Sequence, residues 1–148
     1  MSLTGTQDYD RKYLLSMPGL CKLACLLCSF VGMLCIICGP VRVSNFRGSF
    51  YLAVVTIGFV ATGCLLLARY LRLWQRQFCR CDPTLWSLAV HSSLALAYFA
   101  ASGLVLSLDI GAYTAAAFFG LTAFCINGLE AYGNYRRSRQ REVATQTI

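Results

Sequence analysis

The sequence predicts an all-α membrane protein, a four-transmembrane-helix bundle with short loops and both termini in the cytoplasm. Composition is the first observation, since 57% of the 148 residues are hydrophobic and only 13% are charged, which is more apolar than a soluble surface tolerates. The second is a set of four apolar runs, each long enough to cross a bilayer. The third is that Lys and Arg cluster between these runs rather than on one face, which disfavours a nucleic-acid binder.

The apolar runs define the predicted spans, because a helix needs roughly 20 apolar residues to cross about 30 Å of hydrocarbon. We place the spans at about 20–41, 50–71, 86–108 and 112–132, within a transmembrane domain of 20–135. Residues 1–19 form a cytoplasmic N-terminal segment, and 136–148 form a basic cytoplasmic tail. The charged residues inside the spans are Lys22, Arg69 and Glu130. They lie near span ends, so we expect their side chains to extend to the lipid headgroups.

The orientation follows from the positions of the cations, since Lys and Arg near span ends are retained in the cytoplasm. The two termini and the middle connection, with the adjoining span ends, carry eleven cations. The two opposite connections carry only Arg42 and Arg47. The cytoplasmic set is Arg11, Lys12, Lys22, Arg69, Arg72, Arg76, Arg80, Arg136, Arg137, Arg139 and Arg141.

The outer connections, at 42–49 and 109–111, are too short to fold into a receptor domain. They contain neither an Asn-x-Ser/Thr sequon nor a cysteine, so an outer loop held by glycans or disulfides is not expected. A soluble small-molecule substrate therefore has almost nothing to bind outside the membrane.

The nine cysteines fall into two groups. Those within spans are interpreted as small apolar packing residues, because no zinc-ligand spacing accompanies them. Cys79 and Cys81 instead lie in the basic middle connection, where juxtamembrane thiols are common S-acylation sites. The alternative for these two is an unmodified thiol in a reducing cytosol. The span cysteines are Cys21, Cys25, Cys28, Cys35, Cys38, Cys64 and Cys125.

Small residues at four-residue spacing predict a helix-packing seam, because helices in lipid associate by close backbone approach. The third and fourth spans each carry such a stripe, and Gly58 and Thr62 offer the second span a similar contact. The alternative is that the stripes form an interface with another protein. The predicted seam residues are Ala89, Ser93, Ala97, Ala101, Ala112, Ala116, Gly120 and Gly128.

The polar residues in the spans do not form a catalytic or transport pattern in the sequence. His91 and Asn127 are expected to form hydrogen bonds between helices. No second ionisable group is expected at the depth of His91, and Glu130 is expected to lie too close to the interface for a proton path. No nucleophile–base pair, phosphate-binding loop or metal motif is present. We therefore expect no enzymatic activity, no cofactor and no metal.

The third and fourth spans resemble the last two helices of MARVEL-domain proteins, especially the MAL/plasmolipin and chemokine-like-factor branches. The resemblance rests on residues 86–102, WSLAVHSSLALAYFAAS, and 113–123, YTAAAFFGLTA. There, a histidine near the start of the third helix precedes alternating alanine and aromatic residues, and the fourth helix opens with an Ala-Ala-x-Phe-Gly type of run. The RYLR sequence at 69–72 and the short basic tail also fit.

This resemblance implies a membrane-organising role in vesicle trafficking, membrane apposition, cell junctions or membrane fusion, at the plasma membrane or on trafficking vesicles. The implied partners are membrane lipids and other integral membrane proteins, with a homo-oligomer as an open alternative. One alternative function is a transport or channel accessory subunit. Another is an adaptor that recruits a cytoplasmic scaffold through the tail, although Gln146 stands where a common PDZ ligand has Ser or Thr.

Overall fold

The computed structural model describes residues 11–39, 45–71 and 83–146. They form five helices, of which α1, Arg11–Leu14, is a single short turn before the bundle. The other four are α2 (Met17–Ile37), α3 (Phe46–Tyr70), α4 (Pro83–Leu106) and α5 (Gly111–Gln146). The all-α class and the four long apolar helices are therefore confirmed. Each of the four contains a segment long and apolar enough to cross a membrane: Met17–Ile37, Phe46–Tyr70, Thr84–Leu106 and Gly111–Gln140.

The four long helices form a closed ring in which α2 packs on α3, α3 on α4, α4 on α5, and α5 back on α2. The most extensive of these contacts joins α4 and α5, because only a short turn separates them. In that turn Asp109 has φ 48, a left-handed conformation that Asp tolerates better than most residues. The turn forces α4 and α5 to run antiparallel and side by side.

Helix α5 is longer than the predicted fourth span. It has 36 residues and is about 54 Å long, at roughly 1.5 Å of rise per residue. The basic segment that follows the apolar run therefore continues the same helix instead of leaving it as a separate tail. The physical reason is that residues 134–146 contain no Gly or Pro and include four Arg and two Gln, which favour helix in water.

The outer surface of the bundle is apolar, and polar and charged groups are buried within a mainly apolar core, a distribution that we call reversed polarity. Lys22, His91 and Asn127 are buried, whereas Leu96 is 71% exposed and Phe118 is 66% exposed. Large apolar side chains face outward on all four long helices, and include Leu27, Phe30, Ile57, Val60, Phe99 and Leu129. The bundle thus encloses charge and exposes hydrocarbon.

Candidate functional site

A buried ion pair joins α2 and α5 at the end of the bundle where α2 begins. Lys22 Nζ donates to Glu130 Oε2 at 2.5 Å, and both side chains are 7% exposed. The opposite charges compensate one another, which a pair of buried charges requires. The expectation that Lys22 and Glu130 extend to the headgroups is wrong, because α2 packs directly on α5 and brings the two side chains together inside the bundle.

His91 of α4 extends this pair into a polar cluster. Its Nε2 lies 2.9 Å from Glu130 Oε2, an ion-pair distance that lacks hydrogen-bond geometry. Its Nδ1 lies 2.9 Å from Asn127 Oδ1. The Asn127 amide nitrogen donates to Ala123 O and to Cys25 Sγ, at 2.8 and 3.2 Å. Since the amide oxygen of Asn127 can only accept, His91 Nδ1 carries the proton and donates it.

The expectation that no second ionisable group lies at the depth of His91 is also wrong. In an antiparallel pair, residues equally distant from the turn lie side by side. Ile110 lies in the turn between the two helices. The number of residues from His91 to Ile110 is close to the number from Ile110 to Asn127 or to Glu130. The shared depth of His91 and Glu130 could have been predicted from the sequence, by counting residues from the α4–α5 turn. Lys22 could not be placed in this way, since it lies on a helix distant in sequence.

Buried tyrosines occupy the middle of the bundle. Tyr98 Oη and Ser29 Oγ are hydrogen-bonded at 2.6 Å, and Tyr51 Oη donates to Ala116 O at 2.5 Å. Tyr51 and Tyr98 are 0% exposed, as is Tyr113, which lies near the α4–α5 turn at the end of the bundle. These tyrosines were not predicted to be part of a site. The signal that could have found them is the set of glycines that make room for the rings, since Gly58 lies against Tyr98 and Gly32 against Tyr51.

Only some of the predicted seam residues are buried between the helices. Ala101, Ala116 and Gly120 are buried, Ala97, Ala112 and Gly128 are half-buried, and Ala89 and Ser93 are exposed. Ala89 and Ser93 therefore do not belong to the seam. The reason is geometric, because residues at four-residue spacing rotate by roughly 40° per step, or about 120° from Ala89 to Ala101.

Gly120 is the tightest point of the α5 stripe. A Cβ atom there would overlap Ser102 Oγ of α4 and would lie 3.1 Å from Tyr51 Cε2 of α3. A Cβ atom at Gly128 would meet no atom within 4 Å. Close approach of the helices thus depends on Gly120 and not on Gly128.

The cysteines are distributed over the inside and outside of the bundle. Cys25 is buried against Asn127, Cys21, Cys28 and Cys35 are half-buried, and Cys38, Cys64 and Cys125 are exposed. Within the described ranges, no group of three His, Cys, Asp or Glu residues could hold a metal ion. Cys79 and Cys81, the predicted S-acylation sites, lie outside the described residues.

The chain matches no family model, no curated protein and no solved structure.

Proposed function

We propose that this chain is a non-enzymatic multi-pass membrane protein that organises membranes through lateral contacts with lipids and other integral membrane proteins. The observation that carries the proposal is the reversed polarity of the bundle, with Lys22, His91 and Glu130 inside and large apolar side chains outside. An apolar surface of this extent would aggregate in water, whereas lipid solvates it. We further propose a relationship to the MARVEL-domain proteins, which is supported by the resemblance of residues 86–102 and 113–123.

The proposed orientation places the end that carries Lys22 in the cytoplasm. Exposed arginines lie at this end, where α3 finishes and α5 extends beyond the apolar core. At the other end, Arg47 is the only cation in the described residues, and Asp109 lies at the same end, in the α4–α5 turn. The positive-inside tendency favours the arginine-rich end as the cytoplasmic one. Its exposed arginines are Arg69, Arg136, Arg137 and Arg139.

Tight packing in the middle of the bundle supports a lateral role over solute transport. Tyr98 fills the space beside Gly58, and Tyr51 fills the space between Gly32 and Gly120. A continuous polar path would have to pass these fully buried rings. The outer surface is therefore the better candidate for contacts with partners, at the plasma membrane or on trafficking vesicles.

A second candidate function, a transport or channel accessory subunit, is favoured by one observation. Lys22, Glu130 and His91 form an ionisable cluster inside an apolar bundle, and such groups mark ion or proton pathways in many membrane proteins. Proteoliposomes that contain the purified chain test this alternative. A proton or cation flux above that of empty vesicles would favour transport.

The membrane-organising proposal is tested by the protein composition of the cell surface. In cells that lack the chain, we expect a set of other membrane proteins to change in surface abundance while their total amounts stay constant. Expression of the wild-type chain should restore the original surface abundance of these proteins. Surface labelling followed by quantitative mass spectrometry measures both quantities. An unchanged surface, together with a solute flux in proteoliposomes, would replace the proposal with the transport alternative.

A further inference from the structure

A cleft of about 180 Å³ opens at the proposed cytoplasmic end of the bundle. All five helices contribute to it: Tyr13 from α1, Lys22 from α2, Arg69 from α3, Ser87 from α4, and Glu130 and Arg137 from α5. Its lining combines exposed and buried side chains. Arg69 and Arg137 are exposed beside the ends of the apolar segments, where lipid headgroups lie in the proposed arrangement, whereas Lys22 and Glu130 form the buried part of the cleft.

The charge of the cleft is positive. Lys22 and Glu130 compensate one another, which leaves Arg69 and Arg137 as the excess. Both arginines are exposed, and neither forms an ion pair with a carboxylate in the described part of the chain. The planar guanidinium group presents paired N–H donors that match a phosphate.

Glu130 supplies a second and independent feature of the cleft. While Glu130 Oε2 contacts Lys22 and His91, Oε1 has no hydrogen-bond partner among the described groups. The side chain is 7% exposed and Oε1 itself is closed off from water, so a donor reaches it only when neighbouring side chains of the cleft shift. A buried carboxylate oxygen without a donor is costly. A ligand that brings an N–H or O–H group would complete its hydrogen bonding.

We propose that this cleft binds a phosphate diester that also carries a hydrogen-bond donor, as in the headgroup of phosphatidylethanolamine or phosphatidylglycerol. The phosphate lies among Arg69, Arg137 and Lys22, and the N–H or O–H group of the headgroup donates to Glu130 Oε1. Phosphatidylcholine has the same phosphate, but its quaternary ammonium cannot donate a hydrogen bond. This inference rests on the proposed membrane-spanning arrangement, because the source of the phosphate is the bilayer surface.

Lipid retention by the purified full chain tests the proposal. The chain is mixed in detergent with one defined lipid at a time, and native mass spectrometry measures the lipid-bound fraction. We expect phosphatidylethanolamine and phosphatidylglycerol to bind about tenfold more tightly than phosphatidylcholine, as one charge-assisted hydrogen bond implies. Glycerophosphoethanolamine, the soluble headgroup, is expected to compete weakly because it lacks the acyl chains that contact the apolar outer surface.

Matched arginine variants test the position of the site. Arg69→Gln/Arg137→Gln removes the excess charge of the cleft, and Arg136→Gln/Arg139→Gln removes the same charge from exposed positions outside it. We expect the first pair to lose most lipid binding and the second to retain it.

Three results would overturn the proposal. These are retention of phosphatidylcholine equal to that of the other lipids, equal binding by the two double variants, and binding of the soluble headgroup as tight as that of the whole lipid. The last would assign the cleft to a soluble phosphate ester. Fractionation separates this failure from failure of the proposed function. A chain that stays in carbonate-washed membranes but shows no lipid preference refutes the cleft alone.

Discussion

Replacing Gly120 with leucine is expected to abolish correct folding of the bundle and to cause retention in the endoplasmic reticulum and degradation. The Cβ atom alone would overlap Ser102 Oγ and approach Tyr51 Cε2 to 3.1 Å, and the rest of the leucine side chain would need space that α3 and α4 occupy. Because the short turn at 109–111 holds α4 against α5, the helices cannot separate without losing contacts along several turns. Overpacking of this kind costs about 3 kcal/mol or more.

Two control substitutions separate crowding at Gly120 from a general effect of leucine on α5. Gly120→Ala should cost only about 1 kcal/mol, because the Ser102 hydroxyl can rotate away. Gly128→Leu should be tolerated, since no atom lies within 4 Å of a Cβ atom there. A cycloheximide chase and gel filtration in detergent measure turnover and folding. Equal behaviour of Gly120→Leu and Gly128→Leu would contradict the packing described for α5.

Separating Lys22 from Glu130 is expected to have an effect of similar size. Lys22→Met leaves the Glu130 carboxylate without its closest cation, and Glu130→Gln leaves a buried ammonium group without its anion. Each single change should lower the free energy of unfolding by about 3–5 kcal/mol, because a lone buried charge is strongly destabilising. The double variant Lys22→Met/Glu130→Gln removes both charges, so it should recover most of this loss.

The free energy of unfolding is measured in mixed micelles for the wild-type chain, the two single variants and the double variant. Together these values form a double-mutant cycle. Arg139→Gln provides the exposed-charge control and should change the unfolding free energy by less than about 0.5 kcal/mol. Single variants as stable as Arg139→Gln, or a double variant as unstable as the sum of the singles, would show that the ion pair does not stabilise the bundle.

Hydropathy predicted the four long apolar helices well, because runs of about 20 apolar residues are typical of helices that cross a bilayer. It failed at the end of α5, where the lipid-facing pattern stops but the helix continues to Gln146. Apolar content indicates whether a helix lies in apolar surroundings, whereas helix propensity indicates whether the backbone is helical. The two diverge where a helix leaves the apolar region.

The site was predicted in part. Gly120 was identified from the small-residue spacing, but Ala89 and Ser93 were included wrongly, because a stripe at four-residue spacing rotates off the contact face. The expected hydrogen bonding of His91 and Asn127 between helices is confirmed, but the contact of His91 with Glu130 was not predicted, because it requires comparing depths on two different spans. In the structure His91 contacts both Asn127 and Glu130. The contacts between α2 and α5 depend on how all four helices pack into a ring. No pattern within one helix predicts this arrangement.

Protease protection in sealed microsomes tests the membrane-spanning arrangement most directly, because both the proposed function and the lipid site depend on it. Three versions of the chain carry an epitope tag at the N-terminus, at the C-terminus or within the turn at 109–111. Added protease should remove both terminal tags while the turn tag survives until detergent opens the microsomes. A protected terminal tag, or a turn tag cleaved in intact microsomes, would contradict the four-span arrangement with cytoplasmic termini.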